Sequence, residues 1–166
     1  MKDIFLAVQT ALDGIVRWTD FDMGQLDAQP MPPISYPAAL IAFGQAEYTP
    51  LAGATKIGEA TFEVAVVFQL RERTHSKADT AAKNEALEHL DTVQAVIDAV
   101  NGIEGTSFKN VQHLRTAMDR RADLRVWRLG FSGTHYPMPP DDAYVPWEDA
   151  GGAPPGPAFC INPDIP

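Results

Sequence analysis

The chain has 166 residues, 45% of them apolar and 21% charged, with a formal net charge of −9. These proportions fit one soluble globular domain with a core of useful size. An acidic balance without a basic cluster argues against phosphate-backbone binding, whose affinity rests on Lys and Arg; no specific nucleic-acid partner is expected.

Residues 3–16 place Ile4, Phe5, Val8, Leu12, Ile15 and Val16 at helical spacing, with Asp3 near the positive end of the helix dipole. This predicts an amphipathic first helix, its apolar stripe capped by Trp18 and Phe21. The apolar run at the N-terminus is interrupted by Gln9, Thr10 and Asp13, too early for a signal-peptide core. Residues 20–37 hold Pro30, Pro32, Pro33 and Pro37 and read as a connector without regular structure. Ala38–Gly44, apolar and bounded by Pro37 and Gly44, reads as a strand. Residues 45–58 contain Pro50, Gly53 and Gly58 and predict an extended hairpin arm or loop.

Glu59–Arg73 carries the clearest pattern in the chain. Phe62, Val64, Val66, Phe68 and Leu70 alternate with Glu63, Gln69, Arg71 and Arg73, as in a long antiparallel strand with one covered and one partly wet face. Ser76 is placed to cap a helix reaching Val100, with Leu87, Leu90, Val93, Ile97 and Val100 on one stripe. Asn101-Gly102 ends it, Gly suiting the left-handed position after the last turn. Lys109–Met118 reads as a weaker strand and Asp119–Asp123 as a turn. Leu124–Tyr136 is a second strong strand whose apolar parity switches, predicting a bulge or burial on both faces. The expected fold class is α+β: a four-stranded antiparallel sheet with two helices packed on it, in the order α-β-β-α-β-β.

Residues 1–136 are expected to form one domain and 137–166 a proline-rich acidic tail. That tail holds nine prolines and five carboxylates with no Lys or Arg, leaving a net charge of −4 for residues 1–136. Cys160, the lone cysteine, lies in this tail and excludes an internal disulfide framework. No window approaches the roughly 20 apolar residues of a membrane helix, so no membrane partner is expected.

Chemical motifs are sparse. No Gly-rich phosphate loop, nucleophile elbow or paired-cysteine metal motif is present. Glu85 and His89 share a helical face, but a zinc site needs further ligands and the neighbouring residues supply none. Ser132, Thr134 and His135 lack an exposed serine turn and an orienting acid, and read as polar residues at a strand end. No catalytic, metal-binding or cofactor-binding residue is assigned, and no cofactor is expected. The charge cluster around Arg120 and Arg121, together with Arg71 and Arg73 at the end of the long strand, reads either as solvated surface or as an intersubunit contact. Tyr48, Leu51 and Ile57 place apolar groups among flexible residues of the 45–58 segment and complete the candidate interface.

The parts Ile4–Val16, Ala38–Gly44 with Glu59–Arg73, Ala78–Val100 and Val111–Tyr136 follow an order that resembles small phage tail terminator and head–tail joining (tail completion) proteins. The strands Phe62-Glu-Val-Ala-Val-Val-Phe68 and Leu124-Arg-Val-Trp-Arg-Leu-Gly-Phe131 carry the likeness most clearly. The resemblance covers most of residues 1–136; the proline-rich tail departs from it. It implies a non-enzymatic structural subunit of a phage or prophage tail end, in a homo-oligomeric ring, with a hexamer favoured. The implied partners are the tail tube and neck or head proteins, and the implied location is the host cytoplasm during assembly and then the virion. The alternative expectation is a small ligand-binding or enzymatic α+β domain with no recognisable motif.

Overall fold

A computed structural model describes residues 1–28, 33–52, 55–69, 80–121 and 124–137, with side chains undescribed at 51, 52, 55, 81–83, 85, 86 and 120. The elements are α1 (Lys2–Ala11), β1 (Trp18–Phe21), β2 (Ala38–Ala52), β3 (Thr55–Gln69), α2 (Thr80–Val100), β4 (Phe108–Arg120) and β5 (Leu124–His135). They build a five-stranded mixed sheet in the order β1-β2-β3-β5-β4.

This corrects the expected four-stranded antiparallel sheet and its α-β-β-α-β-β order. The added strand is β1, which lies parallel to β2 with Trp18 opposite Ala38 and Phe21 opposite Ile41. Parallel neighbours need a crossover of a dozen or more residues, and the connector 22–37 supplies it. Residues 18–21 were expected only to cap the first helix. Four residues show no period of their own, and pairing to a distant strand makes them extended. Phe21 does also meet α1, its ring stacked on Phe5 at 4.0 Å.

Even positions of β3 face the helices, as the alternation predicts. Ile4 and Val8 of α1, Val93, Val96 and Val100 of α2, and Phe62, Val64, Val66, Leu129 and Phe131 of the sheet form the main core. One aromatic ring from each strand spans this face: Phe21, Phe43, Phe62, Phe131 and His113 follow one another with centroids 5.3–6.1 Å apart. The other face is drier than expected at one end. Ala38, Leu40, Ala65, Val67, Leu124 and Val126 are buried there beneath Leu26, Ile34 and Tyr36 of the connector. Burial on both faces explains the parity switch in β5, whose register with β3 runs unbroken from Leu124 to His135. Register shifts lie instead in the β4–β5 pair and in the β2–β3 pair.

α2 ends as predicted, with Gly102 at φ 82° and its N–H donating to the Val111 carbonyl at 2.7 Å. Leu70–Arg73, the residues proposed to cap α2, and the tail from Met138 onward lie outside the described residues.

Candidate functional site

β2 and β3 are longer than the sheet that supports them. β2 continues through Gly44 and Pro50 to Ala52, past the expected strand end at Gly44, and pairs with β3 out to Ala52–Thr55. β5 stops at His135 opposite Gly58, so residues 55–57 of β3 have no partner on that side among the described residues. β1 stops opposite Ile41, leaving the outer edge of β2 from Ala42 onward without a strand partner among the described residues. The described residues of 45–58 therefore form the two-stranded arm of a hairpin, the first of the two expected alternatives.

Tyr48 anchors the base of this arm. It stands opposite Gly58, where a Cβ would lie 2.2 Å from the Glu47 carbonyl oxygen and 2.4 Å from the Tyr48 ring; only glycine admits that approach. The Tyr48 hydroxyl reaches Nδ1 of the buried His135 at 2.9 Å, and the Met1 amine lies 3.2 Å from Nε2. An ammonium can only donate, so Nε2 accepts and Nδ1–H donates to the Tyr48 oxygen. Burial, and then the positive amine, push the His135 pKa down, with Asp3 opposing.

Beyond the connector, the face away from the helices is open. Ala42, Gly44, Thr61, Glu63, Arg115 and Gly130 line a groove of about 490 Å³. A second groove of about 630 Å³, nearer the arm, runs along Glu47, Glu59, Gln112, Ser132 and Thr134. Glu63 accepts from Arg128 at 2.7 Å and from the more exposed Arg115 at 3.2 Å. The hydrogen bond to Glu63 raises the Arg128 pKa, outweighing burial.

The candidate interface residues separate into distinct places. Tyr48 and Ile57 lie on the arm, and Leu51 is in its outer part. Arg71 and Arg73 lie outside the described residues. Arg120 stands at the end of β4 opposite Arg125. Arg121 turns inward: it donates to the Leu26 carbonyl at 3.0 Å and to Asp27, and pairs with Asp119 at 3.4 Å. Its hydrogen bond to Asp27 raises its pKa against burial. Arg121 thus ties the connector to the β4–β5 turn.

The other polar groups considered in the sequence are also dispersed. His89 packs edge-on against Phe68, with its ring centroid 5.5 Å away, and Arg125 Nη1 lies 3.0 Å from its Nε2. Strand alternation puts Ser132 and Thr134 on the open face and His135 on the helix face. Among the described residues, no three His, Cys, Asp or Glu side chains gather in a metal-binding group, and no helix is long and apolar enough to cross a membrane.

Against known proteins, no family model and no curated sequence matches the chain. A solved chain described as the virion of a native gene transfer agent (GTA) particle is similar over 82% of this chain and 93% of its own length. Its identity is 13% and its TM-score 0.45, values too low to carry a functional argument.

Sequence reading missed the lateral edges of the sheet. β1 exposes Trp18 and Phe21, with exposed Met23 two residues on, while β4 exposes Leu114 and Met118. The signal available was modest: apolar residues at 18, 21 and 23 that fit no helical stripe, and Leu114 and Met118 within an otherwise polar strand.

Proposed function

We propose that this chain is a non-enzymatic structural subunit of a phage or prophage tail end, assembling with copies of itself into a ring that terminates the tail tube or joins it to the head. The observation that carries this reading is the β2–β3 arm. It extends past β5 and, among the described residues, leaves backbone edges unpaired beyond the core that supports its base. A two-stranded ribbon without further cover is marginal in water, so a partner surface gives it a role. That partner is the tail tube or the adjoining subunit, in keeping with the sequence resemblance to tail terminator and head–tail joining proteins. In this reading the described groove is assigned no chemistry, and Glu63 serves to hold Arg115 and Arg128 across the sheet.

Replacing residues 49–57 with a short Gly-Ser linker tests the proposal while keeping Tyr48 and its bond to His135. The parent is expected to form a discrete oligomer by native mass and light scattering at high concentration. The variant is expected to keep its cooperative melting transition and lose at least about tenfold in assembly, the equivalent of roughly 1.4 kcal/mol. A monomeric parent, or equal oligomer distributions in both proteins, overturns the reading.

A further inference from the structure

Two opposite edges of one sheet are matched in height, chemistry and direction. From the registers, Trp18 is level with Ala38, Val67, Val126 and Asp119, while Phe21 is level with Ile41, Val64, Leu129 and Thr116. The β1 edge thus lies at the same height as residues 116–119 of β4, the half of β4 beyond its register shifts. Both strands end the sheet. The β1 side exposes Trp18, Phe21 and Met23, at 40–84% relative exposure; the β4 side exposes Leu114 at 59% and Met118 at 42%.

Their charges are complementary. Residues 13–22 carry Asp13, Asp20 and Asp22 against Arg17, a net −2. β4 carries Lys109, Arg115 and Arg120 against Asp119, a net +2. Asp22 follows Phe21 and donates its N–H to the Ile41 carbonyl, which brings it level with Arg115 across Ala42, Glu63 and Gly130. Arg115 donates to Glu63 of its own chain at 3.2 Å yet keeps 73% of its side chain exposed, so it can take a second carboxylate. Strand direction fits as well. β1 and β2 run together, while β3, β5 and β4 successively reverse, so β4 is antiparallel to β1. Copies placed side by side in the same orientation then meet as antiparallel edges.

We infer that the β4 edge of one copy packs against the β1 edge of the next, with Met118 and Leu114 against Trp18, Phe21 and Met23, and Arg115 facing Asp22. The contact rests on the ring reading above. It is heterologous, as ring closure requires, because two different surfaces of one subunit meet. It is made by side chains rather than by a continued hydrogen-bond ladder: the Phe21 N–H is already accepted by Asp20 at 2.8 Å, and β4 carries the register shifts and charges that protect an edge.

The test uses the full chain with Cys160→Ser, which removes its one cysteine, and adds Thr19→Cys with Met118→Cys. Within one chain these positions are four strand spacings apart, about 19 Å, whereas disulfide formation needs Cα atoms within about 7 Å. Every cross-link is therefore intermolecular. Mild oxidation is expected to give a ladder of covalent oligomers ending at the ring, absent from either single-cysteine protein. Arg115→Glu is expected to weaken assembly at least about tenfold, and Asp22→Lys in the same chain to restore it, on the scale of a close charge pair. Discrete oligomers without the ladder, or without charge rescue, overturn this contact and leave the ring reading standing. A parent that stays monomeric removes both.

Discussion

The two ends of the sheet differ in how their strands are covered. At the end where β5 begins, β3 is buried on both faces, with Val66 under the helices and Val67 under the connector. At the other end the same strand continues into an arm supported on one face by Tyr48 and His135, and then by β2 alone. The alternation is clear from Phe62 to Phe68 and absent from residues 55–58, though both ends are extended strand. Helices and connector decide where an extended segment becomes interior, and the uncovered remainder is available for assembly.

The sharpest way to break this comparison is a charge at the covered end. Val66→Asp buries a carboxylate where the native side chain has no exposure, and is expected to destabilise the fold by about 4 kcal/mol or more. Chemical denaturation measures it; a loss below about 1 kcal/mol would show that the covered end is not the core. Tyr48→Phe probes the base of the arm. Removing the hydroxyl leaves Nδ1–H of buried His135 without that acceptor, at an expected cost of about 1–2 kcal/mol. An unchanged denaturation midpoint would mean that the arm is not anchored there.

The smallest effect is that of pH. Because the folded-state pKa of His135 is lowered, the unfolded chain takes up its proton first as the pH falls. The stability linked to His135 is full above the ordinary histidine value of about 6.5 and declines below it, toward the depressed folded value. Between about pH 7 and about pH 5.5, a window set around that ordinary value, the parent should lose more stability than His135→Asn does. Equal losses would remove His135 from the account of the arm.

Much of the fold was legible from local pattern. The stripe of Ile4, Val8 and Leu12, the alternation from Phe62 to Phe68 and the glycine after α2 each report a conformation set by neighbours a few residues away. The parity of β5 narrowed its environment to two possibilities, one of which the unbroken register with β3 selects. The site was less legible. Gly44 read as a strand end and Pro50 as part of an arm or loop, and β3 holds β2 extended through both, with register shifts at each. Arg121 read as a surface charge, whereas the connector brings Asp27 to it from 94 positions away.

The sequence by itself determined which segments become helices and long strands, because those signals are periodic and short in range. Only the tertiary structure decided that Trp18–Phe21 is a strand, that it lies parallel to β2, and that the sheet ends on two edges of complementary charge. Those features arise from pairing between residues far apart in the chain, and a four-residue segment carries no period from which its partner can be read.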